Sequence, residues 1–136
     1  MPSGGHVVLS VRNMDVHLWH NPRCSKSREA LALLRESGVE PIVREYLQDP
    51  PNAAELTRVL GLLGRSAADL MRRDEAVYRE LGLDADDVAE AARIAAMVAH
   101  PILIQRPLAM TAERAVIGRP PERVLELLPT NPTARS

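Results

Sequence analysis

The sequence predicts an α/β domain, with a mixed sheet of about four strands and a helical insertion between its two halves. Three observations carry this expectation. A strand, a helix and a second strand fit within about 33 residues, the length of a βαβ unit. A helical block follows, and the chain then closes on two short strands and a last helix. Its 136 residues, 46% of them hydrophobic, suit one domain with a core of its own.

Each element has a local reason. From Asp15, the run Val16-His17-Leu18-Trp19 reads as the first strand. It stops at His20-Asn21-Pro22, where proline removes a backbone donor. A helix begins around Cys24–Ser27, runs through Ala30, Leu31, Leu33 and Leu34, and ends at Gly38. The second strand spans Pro41 to Leu47, with Ile42, Val43, Tyr46 and Leu47 as its apolar content. Asn52 and Glu55 form a capping-box pair ahead of Leu56, Val59, Leu60 and Leu63, and Ser66 with Asp69 repeats the pattern before Leu70-Met71. A short helix covers Glu75 to Leu81 and is stopped by Gly82. Asp84 to Asp87 are expected to cap a longer helix through Val88, Ala92, Ala95, Ala96 and Val98, ending near His100-Pro101. Leu108–Thr111 and Arg114–Ile117 are the closing strands, and Pro121 starts a final helix to Leu128. Residues 1–14 read as an N-terminal extension, 15–129 as a single domain with the insertion at about 52–100, and 130–136 as a tail.

Composition narrows the functional classes. Seventeen basic residues against 18 acidic leave a net charge of −1, which speaks against a nucleic-acid binder relying on bulk positive charge. Trp19, Tyr46 and Tyr78 are the whole aromatic set, too few for a base-stacking platform. No apolar run approaches the roughly 18 residues that span a bilayer, so the expectation is a cytoplasmic protein with no membrane partner. The single cysteine, Cys24, excludes an intrachain disulfide and a multi-cysteine zinc site. His6, His17 and His100 show no ligand spacing, so no metal is expected. Sixteen of the basic residues are Arg and one is Lys26. That skew fits either arginine on solvated helix faces or arginine placed to hold an oxyanion, and only position separates the two.

The chemistry concentrates at Cys24. It directly follows a strand and opens a helix, where unpaired N–H groups and the helix dipole favour a thiolate. Arg23, Lys26 and Arg28 are expected to push the same way, and the only lysine lies two residues from the only cysteine. Cys24-Ser25-Lys26-Ser27 contains no second thiol, so a resolving cysteine must come from another molecule. Ala30 stands where a Cys-x5-Arg phosphatase loop needs arginine, which excludes that loop. What remains is a monothiol Cys-x-x-Ser site, with Ser25 and Ser27 as hydroxyl donors or helix caps. His20, four residues before Cys24, is a candidate to take the thiol proton when neutral or to stabilise the thiolate when charged, and equally a candidate turn residue.

The segment His20-Asn21-Pro22-Arg23-Cys24-Ser25-Lys26-Ser27-Arg28 resembles the active-site segment of the glutaredoxin-coupled, ArsC-type arsenate reductases. The similarity continues through Tyr46-Leu47, Pro50-Pro51, Leu70-Met71-Arg72-Arg73, Glu80-Leu81-Gly82-Leu83 and His100 to Pro107, and closes at Gly118-Arg119-Pro120. It covers about residues 15 to 128, in order and with compatible spacings. The resemblance implies a thioredoxin-like fold with a helical insertion. It implies that Cys24 attacks arsenate to form an enzyme–arsenate adduct, which glutathione, as co-substrate, and glutaredoxin resolve to arsenite. No bound cofactor is implied. It places the family's oxyanion-binding arginines at Arg72, Arg106 and Arg119, and a cis-proline at Arg106-Pro107. Ser25 and Lys26 depart from the pattern of family members that have Gly directly after the cysteine. Two other readings stay open on this sequence: a monothiol glutathione-dependent oxidoreductase without arsenate activity, and a Spx-like transcriptional regulator. The second is disfavoured because Ser27 occupies the place of the second thiol in a Cys-x-x-Cys switch.

Overall fold

The computed structural model describes residues 15–129, so the expected extension and tail lie outside the described residues. The sheet has four strands in the order β2-β1-β3-β4. β1 (His17–Trp19) runs parallel to β2 (Ile42–Arg44) and antiparallel to β3 (Leu108–Met110), which pairs antiparallel with β4 (Ala115–Ile117). Leu18 is the register point, opposite Val43 on one side and Ala109 on the other.

Side chains alternate along a strand, and here the alternation sorts two cores. Val16, Leu18, Ala109 and Val116 point to one face, covered by Ala30 and Leu34 of α1 (Ser25–Glu36) and by Val124 and Leu127. Trp19, Leu108, Met110 and Ala115 belong to the other core, covered by the helical insertion. The insertion comprises α2 (Ala53–Leu63), α3 (Ala67–Leu70), α4 (Ala76–Glu80) and α5 (Glu90–Ala99). α2 starts as its sequence predicts. Asn52 accepts from the Glu55 N–H at 2.8 Å while Glu55 accepts from the Asn52 N–H at 3.0 Å.

Four local expectations are corrected. The second strand ends at Arg44 rather than Leu47, because the Glu45 carbonyl accepts from the N–H groups of Gln48 (3.0 Å) and Asp49 (2.9 Å) and turns the chain. Ser66 and Asp69 do not form a capping box. Their side chains meet at 3.3 Å, and the Ala67 N–H donates instead to Glu90 Oε2 at 2.8 Å. Asp84–Asp87 do not cap a helix; α5 begins at Glu90 with Ala89 as N-cap. That approach is braced by Arg93, only 9% exposed, whose guanidinium donates to the carbonyls of Leu83 (2.7 Å) and Ala85 (3.1 Å). The final helix is a 3₁₀ segment, Pro121–Leu127, and a second one spans Pro101–Leu103.

Two long-range joints position the functional residues. The His20 N–H donates to the Arg44 carbonyl at 2.8 Å, carrying the β1–β2 ladder to the start of the Cys24 loop. Met71 and Ile104 form an antiparallel bridge, flanked by Arg72 N–H to Leu103 O (2.7 Å) and Gln105 N–H to Leu70 O (2.8 Å). The bridge ties the insertion to the segment entering β3, so Arg72 and Arg106 reach the same end of the sheet.

Candidate active site

Cys24 is half-buried in the N-cap position of α1, with extended backbone at φ −94° and ψ 123°. The turn that delivers it is closed by Cys24 N–H to Asn21 O at 2.9 Å and by Arg23 N–H to Asn21 Oδ1 at 3.0 Å. No side chain caps α1, so its first N–H groups face the sulfur. Burial opposes ionisation of the thiol. It is outweighed by the Ser27 N–H, the nearby Arg106 guanidinium and the Lys26 N–H, and the thiol sits below its ordinary value.

The charges acting on the thiol are therefore not the flanking ones expected from the sequence. Lys26 contributes its backbone, while its ammonium lies 4.0 Å from Glu29. Arg28 is exposed and donates to the Pro22 carbonyl at 2.9 Å, which braces the loop rather than the sulfur. Ser25 is exposed at the first turn. Ser27 is fully buried, and its Oγ lies 2.6 Å from His20 Nδ1 and accepts from the Asn21 N–H at 3.1 Å.

His20 meets Ser27 in this structure. Buried to 6% exposure, it is pushed below its ordinary value chiefly by desolvation, with Arg35 and Arg28 adding to the shift and Glu45 opposing it. That direction favours the neutral imidazole over the charged one among the roles the sequence leaves open.

The three arginines differ. Arg106 faces Cys24, and its buried Nε and Nη1 have no hydrogen-bond partner among the described residues. Arg72 is 14% exposed at its side chain and held by Glu75 Oε2 at 2.6 Å and Asp74 Oδ2 at 3.3 Å. Arg119 is exposed, and its Nε donates to the Arg106 carbonyl at 2.9 Å. The Arg106-Pro107 bond is cis, as expected, and so is Arg119-Pro120. Gly118 lets these two segments approach, because a Cβ there would lie 2.7 Å from Pro107 Cγ.

Two further residues bear on this neighbourhood. Glu75 holds Arg72 at 2.6 Å, and the Tyr46 phenol is pushed up to about 12 by burial, with the charges of Arg106 and Arg72 opposing and those of Cys24 and Glu75 adding. In sequence Tyr46 reads only as apolar strand content, and Glu75 only as the start of a short helix. No local pattern marks Tyr46, whereas Glu75 lies only three residues from Arg72, with which it pairs. No group of three or more His, Cys, Asp or Glu among the described residues could hold a metal ion. No helix among them is long and apolar enough to cross a membrane.

A sheet of this order, a lone cysteine opening α1 and a cis-proline segment carrying Arg106 can be compared with known proteins. The ArsC family model matches residues 19–127. The chain belongs to the ArsC family. Among its relatives, the Escherichia coli K12 protein YfgD, described as uncharacterized, is 52% identical over 84% of this chain and 97% of its own length. An arsenate reductase of Haemophilus influenzae is 43% identical over 85% of this chain and all of its own. Among solved structures, the arsenate reductase from Vibrio cholerae superposes with a TM-score of 0.82 at 46% identity, covering 85% of this chain and 98% of that one. The fold is therefore the thioredoxin-like ArsC fold, a mixed four-stranded sheet flanked by helices.

Proposed function

We propose that this ArsC-family protein reduces arsenate to arsenite through Cys24. The observation that carries the reading is the pairing of a thiol held below its ordinary value with Arg106, whose buried Nε and Nη1 have no partner among the described residues. A guanidinium in that state is poised for the oxygens of a tetrahedral oxyanion, which accept charge-assisted hydrogen bonds in a fixed geometry. Arg72 and Arg119 complete the set: Arg72 from the bridge to Ile104, and Arg119 from its contact with the Arg106 carbonyl.

In this mechanism the Cys24 thiolate attacks arsenic(V) and one arsenate oxygen, once protonated, leaves as water. A sulfur–arsenic bond forms as an oxygen–arsenic bond breaks. A glutathione thiolate then bonds to the Cys24 sulfur, the sulfur–arsenic electron pair passes to arsenic, and arsenite leaves as arsenic(III). Cys24 is left in a mixed disulfide that glutaredoxin reduces. The outside thiols are required because Cys24 is the only cysteine in the chain. That requirement fits a reducing cytoplasm. His20 acts through Ser27 and not on the thiol itself: its 2.6 Å contact fixes the residue whose N–H faces the sulfur.

A coupled assay with arsenate, glutathione, glutaredoxin, glutathione reductase and NADPH tests the reading. Arsenate-dependent NADPH oxidation with arsenite as product is expected from the wild type and none from Cys24→Ser. Arsenite formation by the Cys24→Ser protein would sink the proposal.

A further inference from the structure

Glu75 is an acidic residue paired with an arginine assigned above to an anion, and the reaction gives it no part. Its Oε2 accepts from Arg72 Nη1 at 2.6 Å, while Asp74 Oδ2 lies 3.3 Å from Arg72 Nη2. The two contacts are unequal. The Glu75 side chain is 22% exposed and the Asp74 side chain 74%, so water competes far more for the second. Charge alone argues against such a pair, because a carboxylate beside an oxyanion site repels the ligand. The local structure gives it another use. Glu75 occupies the N-cap position of α4, yet its side chain caps no N–H of that helix and turns back to Arg72. Arg72 is thereby held at both ends: its backbone N–H donates to the Leu103 carbonyl at 2.7 Å, and its guanidinium donates to Glu75. A guanidinium carries five N–H donors. The carboxylates take one from each Nη, and Arg72 Nε with the remaining Nη hydrogens enters no hydrogen bond between described residues.

We propose that Glu75 is a positioning residue of the oxyanion site, fixing the Arg72 guanidinium so that its remaining donors are presented to the tetrahedral oxyanion held at Cys24. The inference rests on the reading of Arg72 as an oxyanion ligand in the function proposed above. An arginine left mobile loses rotamer freedom when it closes on a ligand. The Glu75 contact imposes that loss at folding, so the bound oxyanion does not bear it. Asp74, longer in contact and open to water, adds little to the hold.

Removing a repelling charge and removing a brace act on oxyanion binding with opposite signs, which separates the two accounts. Protection of Cys24 from iodoacetamide by arsenate, phosphate or sulfate is measured on the full chain. Glu75→Ala is expected to weaken protection about tenfold, the size of one hydrogen bond to a charged group, although it removes a negative charge. Glu75→Asp keeps the charge, shortens the reach and suits an N-cap position, so it decides the matter even where Glu75→Ala fails to fold. It too is expected to weaken protection, by about threefold or more. Asp74→Asn is expected to change protection less than either. In an Arg72→Ala background, Glu75→Ala should weaken protection no further, because the group it positions is gone. KM for arsenate should rise with kcat nearly unchanged. The pH profile of alkylation without oxyanion should stay in place, since neither Arg72 nor Glu75 is among the groups acting on the thiol. Tighter or unchanged protection in either Glu75 variant would overturn the proposal, and so would an equal loss in the Arg72→Ala background. The protection comparison needs no arsenite formation, so it decides the role of Glu75 even where the arsenate reading fails. Protection by none of the three oxyanions overturns both.

Discussion

Arg44 ends β2 and Arg106 lies two residues before β3 of the same sheet, yet their guanidinium groups are in opposite states. Arg44 is fully engaged. It donates from Nε to Asp49 O at 2.9 Å, from Nη1 to Glu55 Oε2 at 2.7 Å and from Nη2 to Pro50 O at 2.9 Å, and lies 5.5 Å over the Trp19 ring. Arg106 keeps two buried donors without a partner among the described residues. Burying an unpartnered polar group costs stability, so it persists where the group has work that a satisfied one cannot do. Arg44 is a brace, and Arg106 is the binding group of the function proposed above. Arg72 lies between them, tied to Glu75 and Asp74 yet beside the site.

The comparison can be broken by exchanging the expected consequences. Removing the reacting atom sets the scale: Cys24→Ser is expected to abolish arsenite production in the coupled assay while leaving the thermal unfolding midpoint close to wild type. Arg106→Ala should lower kcat/KM by about a hundredfold or more, the usual cost of one oxyanion donor. It should also move the midpoint of iodoacetamide alkylation to higher pH, because the charge favouring the thiolate is gone. Its urea unfolding free energy should not fall, since no protein hydrogen bond of Nε or Nη1 is lost. Arg44→Ala should do the reverse, losing about 1–3 kcal/mol in urea unfolding while the folded fraction stays active. Equal loss of stability in the two variants would remove the distinction.

Two smaller effects sharpen the same contrast. Gly118→Ala inserts a methyl 2.7 Å from Pro107 Cγ and 3.0 Å from Val124 Cγ1. A cost of about 1–3 kcal/mol is expected, with KM for arsenate raised as Arg106 and Arg119 shift. The last is a pH effect. The folded-state ionisation of His20 is below its ordinary 6.5, so on acidification the unfolded chain takes up the proton first. Its stabilisation is complete above that value and is lost as pH falls below it. The unfolding free energy of the wild type should therefore decline between pH 7 and 5, and His20→Asn should show a shallower slope over that range.

Much of the fold is legible in local pattern. Leu18, Ala30 and Leu34 announce their buried faces by period, and Asn52 with Glu55 announces the start of α2. Two of the misreadings share one cause. Ser66-Asp69 and Asp84–Asp87 carry capping residues, but distant groups satisfy those backbones instead: Glu90 at Ala67, and Arg93 at Leu83 and Ala85. The site divides the same way. Cys24 is marked by its own neighbours in the chain, whereas Arg106 is marked as its partner only by what the fold brings together.

The sequence by itself determined that one thiol opens one helix after a strand, and that no second cysteine accompanies it. Both follow from residue counts and local spacing. Only the tertiary structure decided which positive charge faces that thiol. Lys26 and Arg28 are closer in sequence, but their side chains turn to Glu29 and to the Pro22 carbonyl. Arg106 arrives through the sheet and the Met71–Ile104 bridge, and keeps its donors unpartnered. Periodicity reports burial along one segment. Convergence of distant side chains depends on pairings between segments, which no single stretch of sequence contains.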